Sequence, residues 1–188
     1  MGLISIIRKQ KLKDKELRVL MLGLDNSGKT TIVKSLLGQD VKQVSPTMGF
    51  NIETVDYHDY IINIWDVGGQ SSLRPFWFNY FEKTDSLIWV IDSLSLERLQ
   101  ENFIEFKKIL IEDRLIGSNF LILLNKIDLI EDKAKIQQLI TKIINLLQLE
   151  EIKNHNWKVL PVSAFTGENL HNGIDWIVDE YKSRMNII

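Results

Sequence analysis

Hydrophobic and polar positions along this chain follow two rhythms. Residues 17–22 (Leu17-Arg18-Val19-Leu20-Met21-Leu22), 86–91 and 120–124 are apolar runs of strand length, and 157–162 is a shorter one. Strands so nearly continuous in apolar residues belong in a sheet covered on both faces. Residues 50–55 and 60–65 instead alternate apolar with polar across Asp56-Tyr57-His58-Asp59, which predicts a hairpin. Between the strands the period lengthens. Residues 31–37 have apolar positions at helical spacing, and three longer faces follow: Leu99, Phe103, Phe106, Ile109 and Leu110; Ile136, Leu139, Ile140, Ile143 and Leu147; Ile174, Ile177, Val178 and Tyr181. The pattern predicts an α/β fold in which strand alternates with helix after the early hairpin, around a mainly parallel sheet.

Composition narrows the setting. With 188 residues, 45% of them hydrophobic and 26% charged, the chain suits one soluble domain with a sizeable core. Its 23 Lys and Arg against 25 Asp and Glu leave a formal charge of −2, so no basic field exists to carry nucleic-acid binding. The absence of cysteine excludes disulfides and thiolate metal sites. No apolar run approaches the ~20 residues of a membrane span, and the N-terminus lacks the apolar core of a secretory signal, so a cytoplasmic protein is expected. Residues 1–15 form a unit of their own, with Leu3, Ile4, Ile6 and Ile7 ahead of a basic run predicting a short amphipathic helix before a main domain at 16–188. Gly2 invites acylation, but Ile6 stands where that signal wants Ser or Thr, which leaves membrane contact weak or conditional.

The chemistry concentrates at Gly23-Leu24-Asp25-Asn26-Ser27-Gly28-Lys29-Thr30. Between a strand and a helix, glycines bracketing four residues and followed by Lys and a hydroxyl residue make a phosphate cradle. Backbone amides converge on one spot, the helix N-terminus adds partial positive charge, Lys29 reaches the outer phosphates, and the Thr30 hydroxyl can ligate magnesium. A second threonine, Thr47, ends a polar connection and can complete the same coordination. Trp65-Asp66-Val67-Gly68-Gly69-Gln70 brings an acidic residue and two glycines out at a strand end, where open parallel sheets bind ligands. Asn125-Lys126-Ile127-Asp128 selects the base: a carboxylate only accepts, and guanine presents two adjacent donors where adenine presents no such pair. Ser163-Ala164-Phe165, after the last strand, can offer a backbone amide to the guanine oxygen.

In order and spacing these motifs resemble a small GTPase over the whole chain. Gly23-Leu24-Asp25, the paired Thr30-Thr31 and Trp65-Asp66-Val67-Gly68-Gly69-Gln70 are similar to the ADP-ribosylation factor branch, and Gly49-Phe50-Asn51-Ile52 with Gly167-Glu168-Asn169-Leu170 to its type-two Arf-like group. The resemblance implies a P-loop NTPase fold with a six-stranded, mostly parallel sheet, a monomer, and a GTP/GDP switch that uses Mg2+. Its nucleotide-binding set maps onto Gly23, Asp25, Asn26, Ser27, Gly28, Lys29, Thr30, Thr31, Thr47, Asp66, Gly69, Asn125, Lys126, Asp128, Ser163 and Ala164. Thr30 and Thr47 would ligate the metal directly, Asp66 through water, Gly69 would offer its amide to the γ-phosphate, and Gln70 would orient the attacking water. Implied partners are effector, exchange and GTPase-activating proteins, among them a tubulin-folding cofactor and prenyl-binding cargo carriers, with cytoskeletal association. The alternative is a membrane-attached trafficking GTPase.

Two departures from the branch are visible: Ile127 where Gln is common, and Phe78 where Arg is common. The run Phe76-Trp77-Phe78-Asn79-Tyr80-Phe81 reads either as core packing or as an effector patch. Asp25 places a carboxylate beside the γ-phosphate, an excess of negative charge that predicts slow unaided hydrolysis, relieved by a partner.

Overall fold

The computed structural model describes Gln10 and residues 15–186. The expected N-terminal amphipathic helix lies, apart from Gln10 and Lys15, outside the described residues. Strands β1 (Glu16–Gly23), β2 (Phe50–Tyr57), β3 (Tyr60–Val67), β4 (Ser86–Asp92), β5 (Asn119–Asn125) and β6 (Trp157–Pro161) join in one sheet, ordered β2-β3-β1-β4-β5-β6. Among the described residues only the β2–β3 pair is antiparallel, and the pairs β3–β1, β1–β4, β4–β5 and β5–β6 are parallel. The hairpin expected from alternation is present and longer than the pattern suggested, closing with Tyr57 opposite Tyr60.

Because successive strand side chains point to opposite faces, the continuous apolar runs feed two separate cores. Val19 and Met21 of β1 join Ile32 and Val33 of α1 (Lys29–Leu36) and Ile174, Ile177, Val178 and Tyr181 of α4 (Leu170–Asn186) on one face. Leu20 and Leu22 join Phe106 and Ile109 of α2 (Leu99–Leu110), and Ile143 of α3 (Lys133–Leu146), on the other. The expected stripe of α3 is shallower than the others. Ile143 and Leu147 are buried, while Ile136, Leu139 and Ile140 are half-exposed because the helix covers the β6 edge of the sheet, where β6 itself is half-buried.

Two local features depart from the expected elements. Helix α1 starts at Lys29 rather than after Thr30, directly behind Gly28 in the left-handed region at φ 97°. Residues Arg74–Tyr80 form a 3-10 helix where the sequence showed only an aromatic run. The aromatics there divide the two readings between them. Trp77 is 3% exposed and its Nε1 donates to Gly68 O at 3.0 Å, and Phe81 is buried, whereas Phe76 and Phe78 face solvent.

Candidate functional site

The cradle, the Gly68-Gly69-Gln70 turn, the Asn125 motif and Ser163-Ala164 follow the carboxyl ends of parallel strands, and Thr47, entering antiparallel β2 opposite the end of β3, arrives at the same edge, so sequence separation becomes spatial adjacency. The cradle follows β1. Lys29 Nζ donates to Gly23 O and Leu24 O, both at 2.9 Å, and Ser27 Oγ donates to Leu24 O at 2.8 Å, so side chains brace the loop from within. Asn26 at φ 61° and Gly28 supply the left-handed turns. A Cβ at Gly28 would overlap Asn125 Nδ2, so this glycine answers to a close approach as well as to its φ. Burial lowers the Lys29 pKa to about 8 against the opposing charges of Asp66 and Asp25. An anion in the cleft would reverse that desolvation penalty, because opposite charge favours the ammonium. That cleft, about 270 Å³, is lined by Asp25, Asn26, Lys29, Thr30, Thr47 and Gln70 among others.

Beside it three candidate metal-site residues converge. Thr30 Oγ1 lies 2.8 Å from Thr47 Oγ1 and donates to Asp66 Oδ2 at 2.6 Å, while Thr47 Oγ1 donates to the same oxygen at 3.4 Å. Burial raises the Asp66 pKa, opposed by its hydrogen bond from Thr30 and by the Lys29 charge. The other carboxylate oxygen, Oδ1, is buried with no hydrogen-bond partner among the described residues. Two hydroxyls and a desolvated carboxylate with a spare oxygen form a hard-oxygen set of the kind magnesium takes alongside phosphate and water. The residues fit the ion.

The loops that carry Gly49, Gly68 and Gly69 pack tightly against the cradle. Gly68 N donates to Gly49 O at 2.8 Å and Asp25 N to Gly69 O at 3.2 Å. A Cβ on Gly68 would stand 2.5 Å from Thr47 O, and one on Gly69 would stand 2.5 Å from Leu24 C and 2.6 Å from Asp25 N. Gln70 donates from Nε2 to Met48 Sδ at 3.7 Å, and its buried Oε1 has no partner among the described residues. An amide so placed can both donate to and accept from a water.

At the other end of the cradle, Asn125 is a tie rather than a bystander. Its Nδ2 donates to Ser27 O and its Oδ1 accepts from Ala164 N, both at 2.9 Å, joining the cradle to the loop after β6. Lys126, at φ 72°, donates to Asn26 O at 2.8 Å and to Asp92 Oδ2 at 2.6 Å. Asp128 Oδ1 accepts from Ser163 Oγ at 2.7 Å, which aims the carboxylate. A second pocket of about 280 Å³ opens here, lined by Gly28, Thr31, Lys126, Asp128, Leu129 and Phe165. Its apolar sides and single carboxylate suit a planar base with paired donors.

The chain matches the ADP-ribosylation factor family over residues 3–181. It is 50% identical to ADP-ribosylation factor-like protein 2 of Arabidopsis thaliana and 47% identical to ADP-ribosylation factor-like protein 2 of Dictyostelium discoideum, each over 188 residues covering all of both chains. Among solved structures it is similar to the Arl6 BBS3 small GTPase from Trypanosoma brucei with bound nucleotide analogue GppNp. The TM-score is 0.77 at 27% identity, covering 89% of this chain and 98% of that one. The chain belongs to the ADP-ribosylation factor family.

As an Arf-family GTPase it hydrolyses GTP and binds GTP and GDP with magnesium. Magnesium, when bound, neutralises phosphate charge; Thr30, Thr47 and Asp66 would hold it. Asp25 sits differently from the expectation of a bare carboxylate at the γ-phosphate. Its Oδ1 accepts from Arg98 Nη2 at 2.8 Å and from Arg74 Nη2 at 3.3 Å, and hydrogen bonding to Arg98 holds its pKa below the ordinary carboxylate range. Neither arginine was visible as a site residue in the Arf-like sequence, because nothing in local spacing connects positions 25, 74 and 98. Asp92, the partner of Lys126, was missed for the same reason. Its one signal was its place at the carboxyl end of β4, level with Asn125 on β5.

Proposed function

We propose that this GTPase is a nucleotide-dependent switch whose output is effector binding, serving tubulin folding and microtubule function and the release of lipidated cargo from prenyl-binding carriers. The observation that carries the switch reading is the Thr30–Thr47–Asp66 cluster, which ties the loop before β2 to the cradle. Three residues beyond Thr47, Phe50 stacks on Trp65 at 5.5 Å and meets Tyr80 at 5.2 Å, while the Arg18 guanidinium lies 3.8 Å from the Trp65 ring. Release of Thr47 therefore disturbs an aromatic surface flanked by the exposed side chains of Met48, Ile52, Phe76 and Phe78. Large aromatics rimmed by polar groups are what a partner's hot spot requires.

In this reading Lys29 and the cradle amides hold the phosphates, Gly69 offers its amide to the third, and Gln70 orients water for in-line attack. Gln70 is not itself a strong base, so unaided turnover is slow and a partner protein completes the site. Asp128, aimed by Ser163 Oγ, reads guanine, while the Ala164 N–H expected at the guanine oxygen donates instead to Asn125 Oδ1 and fixes the loop beside the base. The tubulin and cargo assignment, a cytoplasmic, cytoskeleton-associated location and a monomeric chain enter this reading from the resemblance of the motifs to the type-two Arf-like group. The test is a pull-down from cell extract with Gln70→Leu and Thr30→Asn. Tubulin-folding and prenyl-binding proteins retained by the first and not the second are expected; identical captures from both would overturn the switch.

A further inference from the structure

One network joins two arginines outside the expected nucleotide-binding set to Asp25 and Gly69 within it, and spans three parts of the fold. Arg98, the residue immediately before α2, donates from Nη2 to Asp25 Oδ1 at 2.8 Å, from Nη1 to Asp25 O at 3.0 Å and from Nε to Glu101 Oε2 at 2.8 Å. Arg74, with an 8% exposed side chain, donates from Nε to Gly69 O at 2.8 Å, from Nη1 to Glu101 Oε1 at 2.8 Å and from Nη2 to Asp25 Oδ1 at 3.3 Å. Two guanidiniums thus face two carboxylates, with Glu105 3.8 Å from Arg74. The Gly69 carbonyl, gripped by Arg74 and by the Asp25 amide, belongs to the peptide that leads into Gln70.

We propose that Arg98 is a positioning residue for GTP hydrolysis: it draws the Asp25 carboxylate off the third phosphate, and with Glu101 it anchors the arginine that fixes the Gly69–Gln70 peptide. The charge half of this follows from where Asp25 lies. It lines the phosphate cleft, and a carboxylate freed there repels a third phosphate that GDP does not have. The anchoring half follows from geometry. A fork-shaped guanidinium bonded to three acceptors holds a peptide plane better than a single hydrogen bond, because its donors are fixed relative to one another. Buried amongst its partners, Arg74 cannot change one contact without disturbing the others.

The inference rests on the GTPase activity, and single-turnover hydrolysis by the wild-type protein is its control. Arg98→Gln, a neutral side chain on a partly exposed site, should slow single-turnover hydrolysis roughly tenfold and lower GTP affinity relative to GDP by a similar factor. Release of a fluorescent GDP should stay within about twofold of wild type. Arg98→Lys should recover part of the GTP preference, and Asp25→Asn in the Arg98→Gln background should recover most of it, since the unpaired charge is then gone. Glu101→Gln leaves both arginines on Asp25 and loosens only their anchor, so it should slow hydrolysis without altering the GTP-to-GDP ratio. Equal losses for GTP and GDP in Arg98→Gln, or no recovery on adding Asp25→Asn, would overturn the role given to Arg98. A wild-type protein that fails to hydrolyse bound GTP would overturn the activity reading instead.

Discussion

Gly69 is where the geometry makes its sharpest quantitative demand. In Gly69→Ala the new methyl would stand 2.5 Å from Leu24 C, also crowding Gly23 O and Asp25 N, and none of these is a side chain that can swing away. Relief of the tightest contact, 2.4 Å to Gly23 O, to the 3.4 Å where ordinary contact begins needs a displacement of about 1.0 Å between the loop and the cradle. That shift breaks or lengthens the bonds to Gly69 O from Arg74 Nε (2.8 Å) and Asp25 N (3.2 Å). Overpacking costs about 1–3 kcal/mol, a hydrogen bond from a charged donor about 1.5–3 and a neutral one about 1, so the closed loop loses at least about 3 kcal/mol relative to a lifted one. In the proposed role of Gly69, which offers its amide to the third phosphate, only GTP depends on the closed loop. GTP affinity should therefore fall roughly 100-fold or more, while GDP, held by the cradle and the base pocket, stays within about threefold. Dissociation of fluorescent GDP and of a fluorescent non-hydrolysable GTP analogue measures both. Equal weakening of the two nucleotides, or of neither, would refute the claim that Gly69 is there for close approach.

Three further outcomes are expected. Asp128→Asn replaces an acceptor of two donors by an amide, and GTP should bind at least about 100-fold more weakly while xanthosine triphosphate, with an oxygen at the 2-position, gains; competition calorimetry checks this. Chelating magnesium with EDTA should speed GDP release roughly 10–100-fold in wild type, whereas Asp66→Ala should release quickly with or without chelator, as stopped-flow traces would show. His155 stacks on Phe120 at 4.1 Å with Nδ1 donating to Ser118 O at 2.8 Å, and burial depresses its pKa below 6.5. The unfolded chain then binds the proton that the folded one refuses. Stability from this site is complete above pH 6.5 and is lost as pH falls below it, at up to about 1.4 kcal/mol per pH unit. Thermal melts of wild type and His155→Gln between pH 7.5 and 5.5 should differ in slope in that direction, and parallel slopes would remove His155 from the account.

The aromatic run after β3 shows how far pattern reasoning reaches. Five aromatics within six residues could not be divided by spacing, because a 3-10 helix has neither the strand nor the α-helix period. Only the packed fold sends Trp77 onto Gly68 O and Trp89, and leaves Phe76 and Phe78 in solvent.

By itself the sequence determined the strands, the principal helices, the phosphate cradle and the guanine motif. Each is set by neighbours within a few residues: the period-two and helical rhythms, the paired glycines, a carboxylate at the end of an apolar run. Tertiary structure alone decided that Arg98 and Arg74 hold Asp25 and that Asn125 ties the cradle to Ala164. Those partners lie on different strands and loops, and only the order in which the sheet sets β3, β1, β4 and β5 side by side brings their ends within hydrogen-bonding reach.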